Sequence, residues 1–381
     1  MNFRTCLVFL ALICVQAREN NVTKSSRKAK LFSLFNVVRF DNGVCSGLAT
    51  TGGAGTTGTC FSASECVSLQ GSSIGSCAAG FGVCCRFVIS SSTGGTVTQN
   101  GTSIQAPMNQ GALTDGMSIS YQVNRQSSDV CFLRLDFETF NILGPMDTNE
   151  VMGGACVDTF TATTGTGMET ICGLNTGEHI FVEFGSNFLS TFQFTFGNTP
   201  GGTNAVRDWD IKVDQIPCTG PTSPRDGCLQ YHLTNSGMIK TFNFDGTTGH
   251  LANQRYSACI RQNEGFCCVE YQVCPPPIMN PFVIDDAVNL LEENNCGITT
   301  NDKDFVIIAG ASATCSMEPG TLLRSKFCGS TFNFLASAPE SAPVCDCSPP
   351  FGVGFITDDA APGTATKVPQ GVCLTFRQIP C

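Results

Sequence analysis

The stretch DWDIKVDQIPC at residues 208–218 alternates strictly between apolar and polar side chains and then ends on a motif that recurs. Trp209, Ile211 and Val213 share one face of an extended chain, while the residues between them are charged. A period of two over this length predicts a half-buried β-strand. The letters QIPC return at residues 378–381, which indicates that two parts of the chain are built to one plan.

Further stretches read as strands of the same kind, and their apolar faces need a second sheet to cover them, so the chain is predicted to form β-sandwiches. A helical turn is predicted only in DDAVNLLEENN at residues 285–295. The predicted strands include CFLRLDFETF (131–140), STFQFTF (190–196), KTFNFD (240–245), CCVEYQV (267–273), DFVIIAG (304–310) and GVCLTF (371–376).

Aligned on their QIPC endings, the two parts match at further points. DVCFLRL (129–135) corresponds to FCCVEYQ (266–272), CVDTFTA (156–162) to CGITTNDKDFVII (296–308), and ICG (171–173) to FCG (327–329). We therefore expect two diverged modules, at residues 93–218 and 228–381. In each module the final cysteine would staple the last strand to a middle strand, which predicts the disulfides Cys131–Cys218 and Cys268–Cys381.

Residues 1–17 have the layout of a cleaved secretory signal, with one arginine, an apolar run and a small-residue end. Removing them takes away Cys6 and Cys14 from a total of 24 cysteines, which leaves 22. An even number this large is typical of disulfide scaffolds in an oxidising compartment. The sequence therefore predicts a secreted, extracellular protein.

Residues 18–44 read as a polar, basic linker. Its KSSRKAK stretch (24–30) is a flexible arm, a processing site or a solvated tail. Residues 45–85 hold six cysteines in a sequence rich in Gly, Ser and Thr, so crosslinks rather than a core must hold them. A zinc site is disfavoured because these residues contain no histidine and no Cys-x-x-Cys pair.

The formal net charge of −10 disfavours a nucleic-acid partner, whose phosphates require a basic surface. Excess acid weakly favours cationic partners or Ca²⁺, and the alternative is that it serves simple solubility. No stretch after the predicted signal has the length of apolar sequence needed to span a membrane. Asn21 and Asn100 begin N-glycosylation motifs, which require surface exposure.

The pair Cys156 and Cys172, the latter followed by Gly173, with Asp158 soon after the first cysteine, resembles the CUB domain. The layout also resembles a group of secreted arthropod proteins, most without an assigned function, that carry FNVVRF (35–40) and GSCAAGFGVCC (75–85) before tandem CUB-like modules. The six-cysteine segment is similar to CLIP modules. Together these resemblances imply an all-β fold: a small disulfide knot followed by two CUB-like antiparallel β-sandwiches of the jelly-roll type.

The resemblance also implies a disulfide map. The first module departs from the CUB pattern, because Thr93 and Ile119 stand where its opening cysteine pair would fall. The implied pairs are Cys45–Cys84, Cys60–Cys77 and Cys66–Cys85 in the CLIP-like segment, Cys156–Cys172 in the first module, and Cys228–Cys259 and Cys296–Cys328 in the second.

Many CUB domains bind calcium through carboxylates at one loop end, because this hard cation prefers several oxygen ligands. By that resemblance the second module offers Glu292 or Glu293, Asp304, and Asp358 or Asp359. The first module offers Glu150 and Asp158, with residues 185–187 where a late aspartate is expected. The alternative is that these are solvated loop carboxylates, and we expect no cofactor other than Ca²⁺.

The three histidines lie in no catalytic motif, so an enzyme is disfavoured. Arg255 and Arg261 in LANQRYSACIRQ are candidates for a structural or contact role. The leading hypothesis is a non-catalytic extracellular binding protein whose rim loops recognise a protein or glycan partner. The alternatives are a non-catalytic regulator of an extracellular protease cascade in innate immunity or development, and a structural component of matrix or cuticle.

Overall fold

A computed structural model describes residues 39–47, 57–109, 113–145, 154–163, 169–185, 189–199, 205–245, 249–284, 296, 304–316, 323–335, 338–358 and 370–381. The chain divides into two units, Met1–Phe40 and Asp41–Cys381. The predicted signal at 1–17, the basic stretch at 24–30, Asn21 and the helical turn at 285–295 lie outside the described residues. Within the described ranges, no helix is long and apolar enough to cross a membrane.

Strands make up nearly all of the regular secondary structure in the described residues, which confirms the predicted all-β fold. The first four strands, which lie between Val44 and Arg86, form a sheet of order β1-β2-β4-β3. A single helical turn, α1, begins at a capping box in which the Ser62 hydroxyl accepts the Glu65 N–H at 3.2 Å and the Glu65 carboxylate accepts the Ser62 N–H at 3.1 Å. The elements are β1 (Val44–Ser46), β2 (Thr57–Phe61), α1 (Ala63–Ser68), β3 (Ser72–Cys77) and β4 (Gly82–Arg86).

The next nine strands form two facing sheets, which we call the first half. Their orders are β10-β12-β8-β6 and β11-β9-β13-β7-β5. Phe194 of one sheet stacks on Trp209 of the other with ring centroids 4.3 Å apart, so the alternating strands bury their apolar faces against each other. The strands are β5 (Val88–Ser90), β6 (Gly95–Val97), β7 (Thr102–Gln105), β8 (Ser118–Asn124), β9 (Val130–Asn141), β10 (Thr159–Thr163), β11 (His179–Glu183), β12 (Leu189–Thr195) and β13 (Asp208–Pro217). Strand β5 precedes residue 93, so the sheet begins before the predicted module boundary.

The remaining strands form a ten-stranded sheet, which we call the second half. Its main path is β14-β16-β22-β19-β21-β17-β23-β15, with β18 paired to β23 and β20 to β19. Tyr256 packs between Phe242 and Phe355 at centroid distances of 4.9 and 5.1 Å, inside an apolar cluster that is continuous with that of the first half. The strands are β14 (Gln230–His232), β15 (Ser236–Lys240), β16 (Arg255–Ile260), β17 (Phe266–Val273), β18 (Phe282–Val283), β19 (Phe305–Ser312), β20 (Arg324–Phe327), β21 (Val344–Asp346), β22 (Gly352–Ile356) and β23 (Gly371–Pro380).

The glutamine of each QIPC motif has the same task in both halves. The side-chain oxygen of Gln215 accepts the backbone N–H of Gln126 at 2.9 Å. The side-chain nitrogen of Gln215 donates at 3.0 Å to the carbonyl of the residue two positions before Gln126. Gln378 makes the matching bonds: its side-chain oxygen accepts the backbone N–H of Asn263 at 2.9 Å, and its side-chain nitrogen donates at 3.0 Å to the carbonyl of the residue two positions before Asn263. Both glutamines are buried. The motif therefore recurs because each final strand pins the turn that leads into its neighbour.

All 22 cysteines from Cys45 onward form disulfides, and seven of the eight predicted pairs are brought together. The seven are Cys45–Cys84, Cys60–Cys77, Cys66–Cys85, Cys131–Cys218, Cys156–Cys172, Cys228–Cys259 and Cys296–Cys328. The other four are Cys267–Cys381, Cys268–Cys347, Cys274–Cys373 and Cys315–Cys345.

The predicted pair Cys268–Cys381 is corrected, because Cys381 bonds to Cys267 and Cys268 bonds to Cys347. Strands β17 and β23 shift register at Cys267, which places this residue in a bulge beside the end of β23. Strands β9 and β13 shift register in the same way at Cys131. Cys267, and not its neighbour, is therefore the counterpart of Cys131.

We expect replacement of Cys267 by serine to free the thiol of Cys381, and replacement of Cys268 to free that of Cys347. Each variant should also lose about 2–5 kcal/mol of unfolding free energy, the usual cost of removing a native disulfide. Thiol alkylation followed by peptide mass spectrometry identifies the freed cysteine. Labelling of Cys381 in the Cys268→Ser variant would contradict the observed pairing.

Candidate functional site

A buried aspartate stands immediately before an outer strand of each half, and in the first half it is Asp158, which precedes β10. Its two oxygens accept from the Arg207 guanidinium at 2.8 and 3.0 Å. The backbone N–H groups of Leu143 and Gly197 each donate to it at 3.0 Å. The Asp158 side chain is 0% exposed and the Arg207 side chain 1%. These four bonds fill the lone pairs of the carboxylate.

The expectation that Asp158 binds calcium therefore does not fit its surroundings, because a guanidinium already supplies the counter-charge. Glu150, the other acidic residue expected there, lies outside the described residues. Gly197, which follows the paired strand β12, donates its backbone N–H to Asp158. Of the expected late position at 185–187, residues 186 and 187 lie outside the described residues.

Asp304 occupies the same position in the second half, immediately before β19. One of its oxygens accepts the backbone N–H of Asp358 at 2.7 Å, just as Asp158 accepts that of Gly197. The other oxygen lies 3.5 Å from Nε2 of His250. Burial, with a further contribution from the charge of Asp358, raises the pKa of Asp304 to about 7.

The structure thus brings two of the predicted calcium ligands together, Asp304 and Asp358. Glu292, Glu293 and Asp359 lie outside the described residues. Within the described ranges, no group of three His, Cys, Asp or Glu residues is placed to hold a metal ion.

A cavity of about 430 Å³ opens beside Asp358, and Arg255 borders it. Strand β16 alternates, so Tyr256 and Ala258 point into the core while Arg255 is exposed. Arg255 also borders a second cavity of about 540 Å³. The first cavity is lined by Glu169, Asn253, Arg255, Phe305, Thr357 and Asp358. The second is lined by Arg225, Asp226, Arg255, Tyr256, Phe351 and Ile356.

The two arginines singled out from the sequence have different surroundings. Arg261 donates to the Asn263 side chain at 2.9 Å and to the Pro221 carbonyl at 2.7 Å, so it fastens loops together. The Arg255 side chain makes no hydrogen bond or ion pair with another described residue, so its guanidinium is available. We name the surface formed by Arg255 and its two cavities the Arg255 cleft.

One contact between the two halves is made where strand β11 of the first half lies beside β14 of the second, and we call this contact the junction. The N–H of Phe181 donates to the Leu229 carbonyl at 2.6 Å. Phe181 and Tyr231 pack edge to face at 6.3 Å. Gln254 adds a bond from its amide to the Thr170 carbonyl at 3.1 Å.

The histidines contact backbone groups, aromatic rings and one carboxylate. Nε2 of His179 lies 3.2 Å from the backbone oxygen of Tyr231, and its ring is 5.1 Å from that of His232. The ring nitrogens of His250 lie 3.3 and 3.1 Å from the carbonyls of Leu251 and Ile284. Burial lowers the pKa of His250. These surroundings suit structural histidines rather than general bases.

Asn100 is exposed at a turn, as a glycosylation site must be. Its side-chain oxygen accepts the Gln215 N–H at 2.6 Å, and the Thr102 hydroxyl of the same motif donates to the Gln99 carbonyl at 2.7 Å. An attached sugar on the Asn100 nitrogen is compatible with the bond that its oxygen makes.

Sequence reasoning missed Arg207, because a charged residue before a strand is expected to be solvated.

We expect Arg207→Ala to lose about 3–5 kcal/mol of unfolding free energy, because it leaves the Asp158 carboxylate buried and unpaired. Denaturant unfolding measures the loss. Arg377, whose side chain is 63% exposed, provides the control, and Arg377→Ala should cost less than about 1 kcal/mol. Equal losses in the two variants would contradict this assignment.

Comparison with protein families gives one match, which covers less than half of the chain. Residues 225–379 match the animal CUB domain family. No curated protein matches the chain significantly.

Three solved structures show weak overall similarity. The CUB1-EGF-CUB2 domains of rat MASP-1 share 15% identity and cover 74% of this chain and 99% of theirs, with a TM-score of 0.24. The same region of human MASP-1/3 shares 16% identity and covers 73% of this chain and 98% of its own, with a TM-score of 0.23. The extracellular region of zebrafish Gpr126/Adgrg6 shares 12% identity, and the match covers 76% of this chain and 37% of that one, with a TM-score of 0.24. TM-scores this low leave the fold to be read from the chain's own strands, and the family match lies in the second half.

Proposed function

We propose that this chain is a secreted, non-catalytic extracellular binding protein that holds a protein or glycan partner at the Arg255 cleft. The single observation that carries the proposal is an exposed arginine, flanked by two cavities, on a strand of a disulfide-bonded sheet. Arginine is enriched among the residues that dominate binding energy, and a rigid strand presents it with little loss of freedom. CUB domains generally mediate protein interactions, which agrees with this role.

The chemistry of the cleft suggests which group of the partner is held. A guanidinium binds a carboxylate through two parallel hydrogen bonds. The cleft also contains Glu169, Asp226 and Asp358, which disfavour a strongly anionic surface. The partner is therefore one that presents a single carboxylate among neutral groups, as a protein side chain or an acidic sugar does.

The remaining features fit a secreted protein of three modules, at residues 45–85, 93–218 and 228–381. Eleven disulfides suit an oxidising compartment, the signal at 1–17 would direct export, and Asn21 and Asn100 would carry glycans.

Regulation of an extracellular protease cascade is a second candidate. The disulfides Cys45–Cys84, Cys60–Cys77 and Cys66–Cys85 are those expected for a CLIP-like module. Phe81, 63% exposed after the positive-φ residues Ala78 and Ala79, gives that module an apolar contact point. A change in cascade activation rate on adding the protein, absent with Phe81→Ser, would support this candidate.

The Arg255 cleft is tested by screening arrays of extracellular proteins and glycans with wild type, Arg255→Ala and Arg377→Ala. Loss of a central arginine contact should weaken binding by about 2 kcal/mol, or roughly thirtyfold. Arg377→Ala, a change at an arginine that borders neither cavity, should leave affinity unchanged. Binding that survives Arg255→Ala at full affinity would remove this cleft as the site.

Calcium at Asp304 is the finer part of the proposal. The aspartate in the matching position of the first half is neutralised by Arg207, whereas no arginine or lysine forms an ion pair with Asp304 among the described residues. A divalent cation would supply the missing counter-charge, with Asp358 and the predicted Glu292 or Glu293 as further oxygen ligands.

We expect calcium at about 2 mM to stabilise the wild type by about 1–2 kcal/mol relative to EDTA, if the site has the affinity usual for extracellular modules. Thermal unfolding measures the difference. Asp304→Asn should abolish the calcium response, whereas the matched variant Asp158→Asn should lower stability and keep the response. An unchanged response in Asp304→Asn would contradict calcium at this site.

A further inference from the structure

Two histidines from different halves face each other across the junction. His179 begins β11 and His232 ends β14, and their rings meet edge to face with centroids 5.1 Å apart. Both residues are partly buried. A cleft of about 480 Å³ lies beside them, lined by Arg134, Glu178, His179, Tyr231, His232 and Lys240.

The neutral form of each ring fits this place. Nε2 of His179 lies 3.2 Å from both the backbone N and the backbone O of Tyr231, so a neutral ring satisfies one of these contacts in either tautomer. Nε2 of His232 is buried and has no hydrogen-bond partner among the described residues, and the ring packs on Phe376 at 5.3 Å. A proton on His232 would therefore meet no acceptor and no counter-ion.

None of the charged groups named below offers the two histidines an unpaired carboxylate as a counter-ion. Asp136 of β9, which is paired in register with His179, is held by Arg134 at 2.7 Å. On the β15 side Lys240 is held by Asp245 at 2.6 Å. Glu178 accepts from the Gln230 amide of β14 at 2.9 Å.

Burial lowers the pKa of His179 to about 4, with Arg134 adding to the effect. Burial lowers that of His232 to about 3, to which His179 and Arg134 contribute. Burial acts on Glu178 in the opposite direction and raises its pKa to about 7.

We propose that the junction is an acid-operated latch: protonation of His179 and His232, facing each other between β11 and β14, opens the contact between these two strands while each half stays folded. Two like charges at this separation repel, and the open state allows both rings to reach water.

The sign of the pH dependence follows from the two kinds of group. A histidine whose pKa is depressed in the closed state favours closure above its ordinary value of 6.5, and this preference is lost as the pH falls below it. Glu178, whose pKa is raised from 4.5, favours closure below that value and opposes closure as the pH rises through about 7. Glu178 therefore damps the response of the two histidines.

The balance favours opening in acid. Between about pH 7.5 and pH 5 the two histidines shift the opening constant by roughly several hundredfold, and Glu178 opposes them by roughly fiftyfold. The net change in the wild type is about tenfold at pH 5 and about a hundredfold or more at pH 4.

Hydrogen–deuterium exchange of the Phe181 amide, which bonds across the junction to the Leu229 carbonyl, reports the opening directly. After correction for the intrinsic pH dependence of exchange, protection of this amide should fall about tenfold from pH 7.5 to pH 5. Protection within β17 and β23 of the second half should remain unchanged, because that pairing is held by Cys267–Cys381.

Two variants separate the contributions. His232→Phe keeps an aromatic ring against Phe376 and carries no proton, so its Phe181 amide should stay protected at pH 5. Glu178→Gln keeps an acceptor for Gln230 and removes the damping, so its loss of protection should reach several hundredfold. The latch is overturned if protection in the wild type and in Glu178→Gln is flat with pH, if His232→Phe opens like the wild type, or if β17 and β23 lose protection in parallel, which would indicate global unfolding.

Discussion

The structure depends on how each final strand is held against a middle strand of its own half. Strand β13 lies along β9 and β23 along β17, and at the end of each pair a register shift makes room for a disulfide. The glutamine of QIPC adds two hydrogen bonds to the neighbouring turn. With these strands fixed, the outer strands and the loops after them have a rigid frame, and the Arg255 cleft is one of the surfaces that this frame presents.

The two halves accommodate a buried aspartate in different ways. Each buries an aspartate before an outer strand and satisfies it with a backbone N–H from the end of the paired strand. In the first half Arg207 completes the arrangement with a permanent charge, which fixes the site in one state. In the second half Asp304 faces His250, whose pKa is lowered by burial, so that the uncharged ring is favoured. The half that matches the CUB family is thus the one whose buried carboxylate has no permanent counter-charge among the described residues.

Much of the fold was predictable from the sequence, because alternation and cysteine spacing are local signals. The period of two located strands such as β13, and the repeated QIPC located the closing disulfide Cys131–Cys218 and the role of Cys381 in closing the second half. The choice between Cys267 and Cys268 was not predictable, because adjacent cysteines are equivalent in a pattern and only the register shift separates them. Arg207 and the junction were missed for a related reason: burial of a charge, and contact between two strand edges about fifty residues apart, leave no periodic trace in the sequence.

The junction also has a consequence for how the chain avoids self-association. Strands β11 and β14 are the outermost strands of their sheets, and open sheet edges invite pairing with other chains. Each covers the other here, with Phe181 and Tyr231 enclosed between them. Either half expressed by itself would present a bare edge beside an apolar cluster. The tandem arrangement therefore acts as mutual protection against aggregation, and a soluble single half would require a charged residue on that strand.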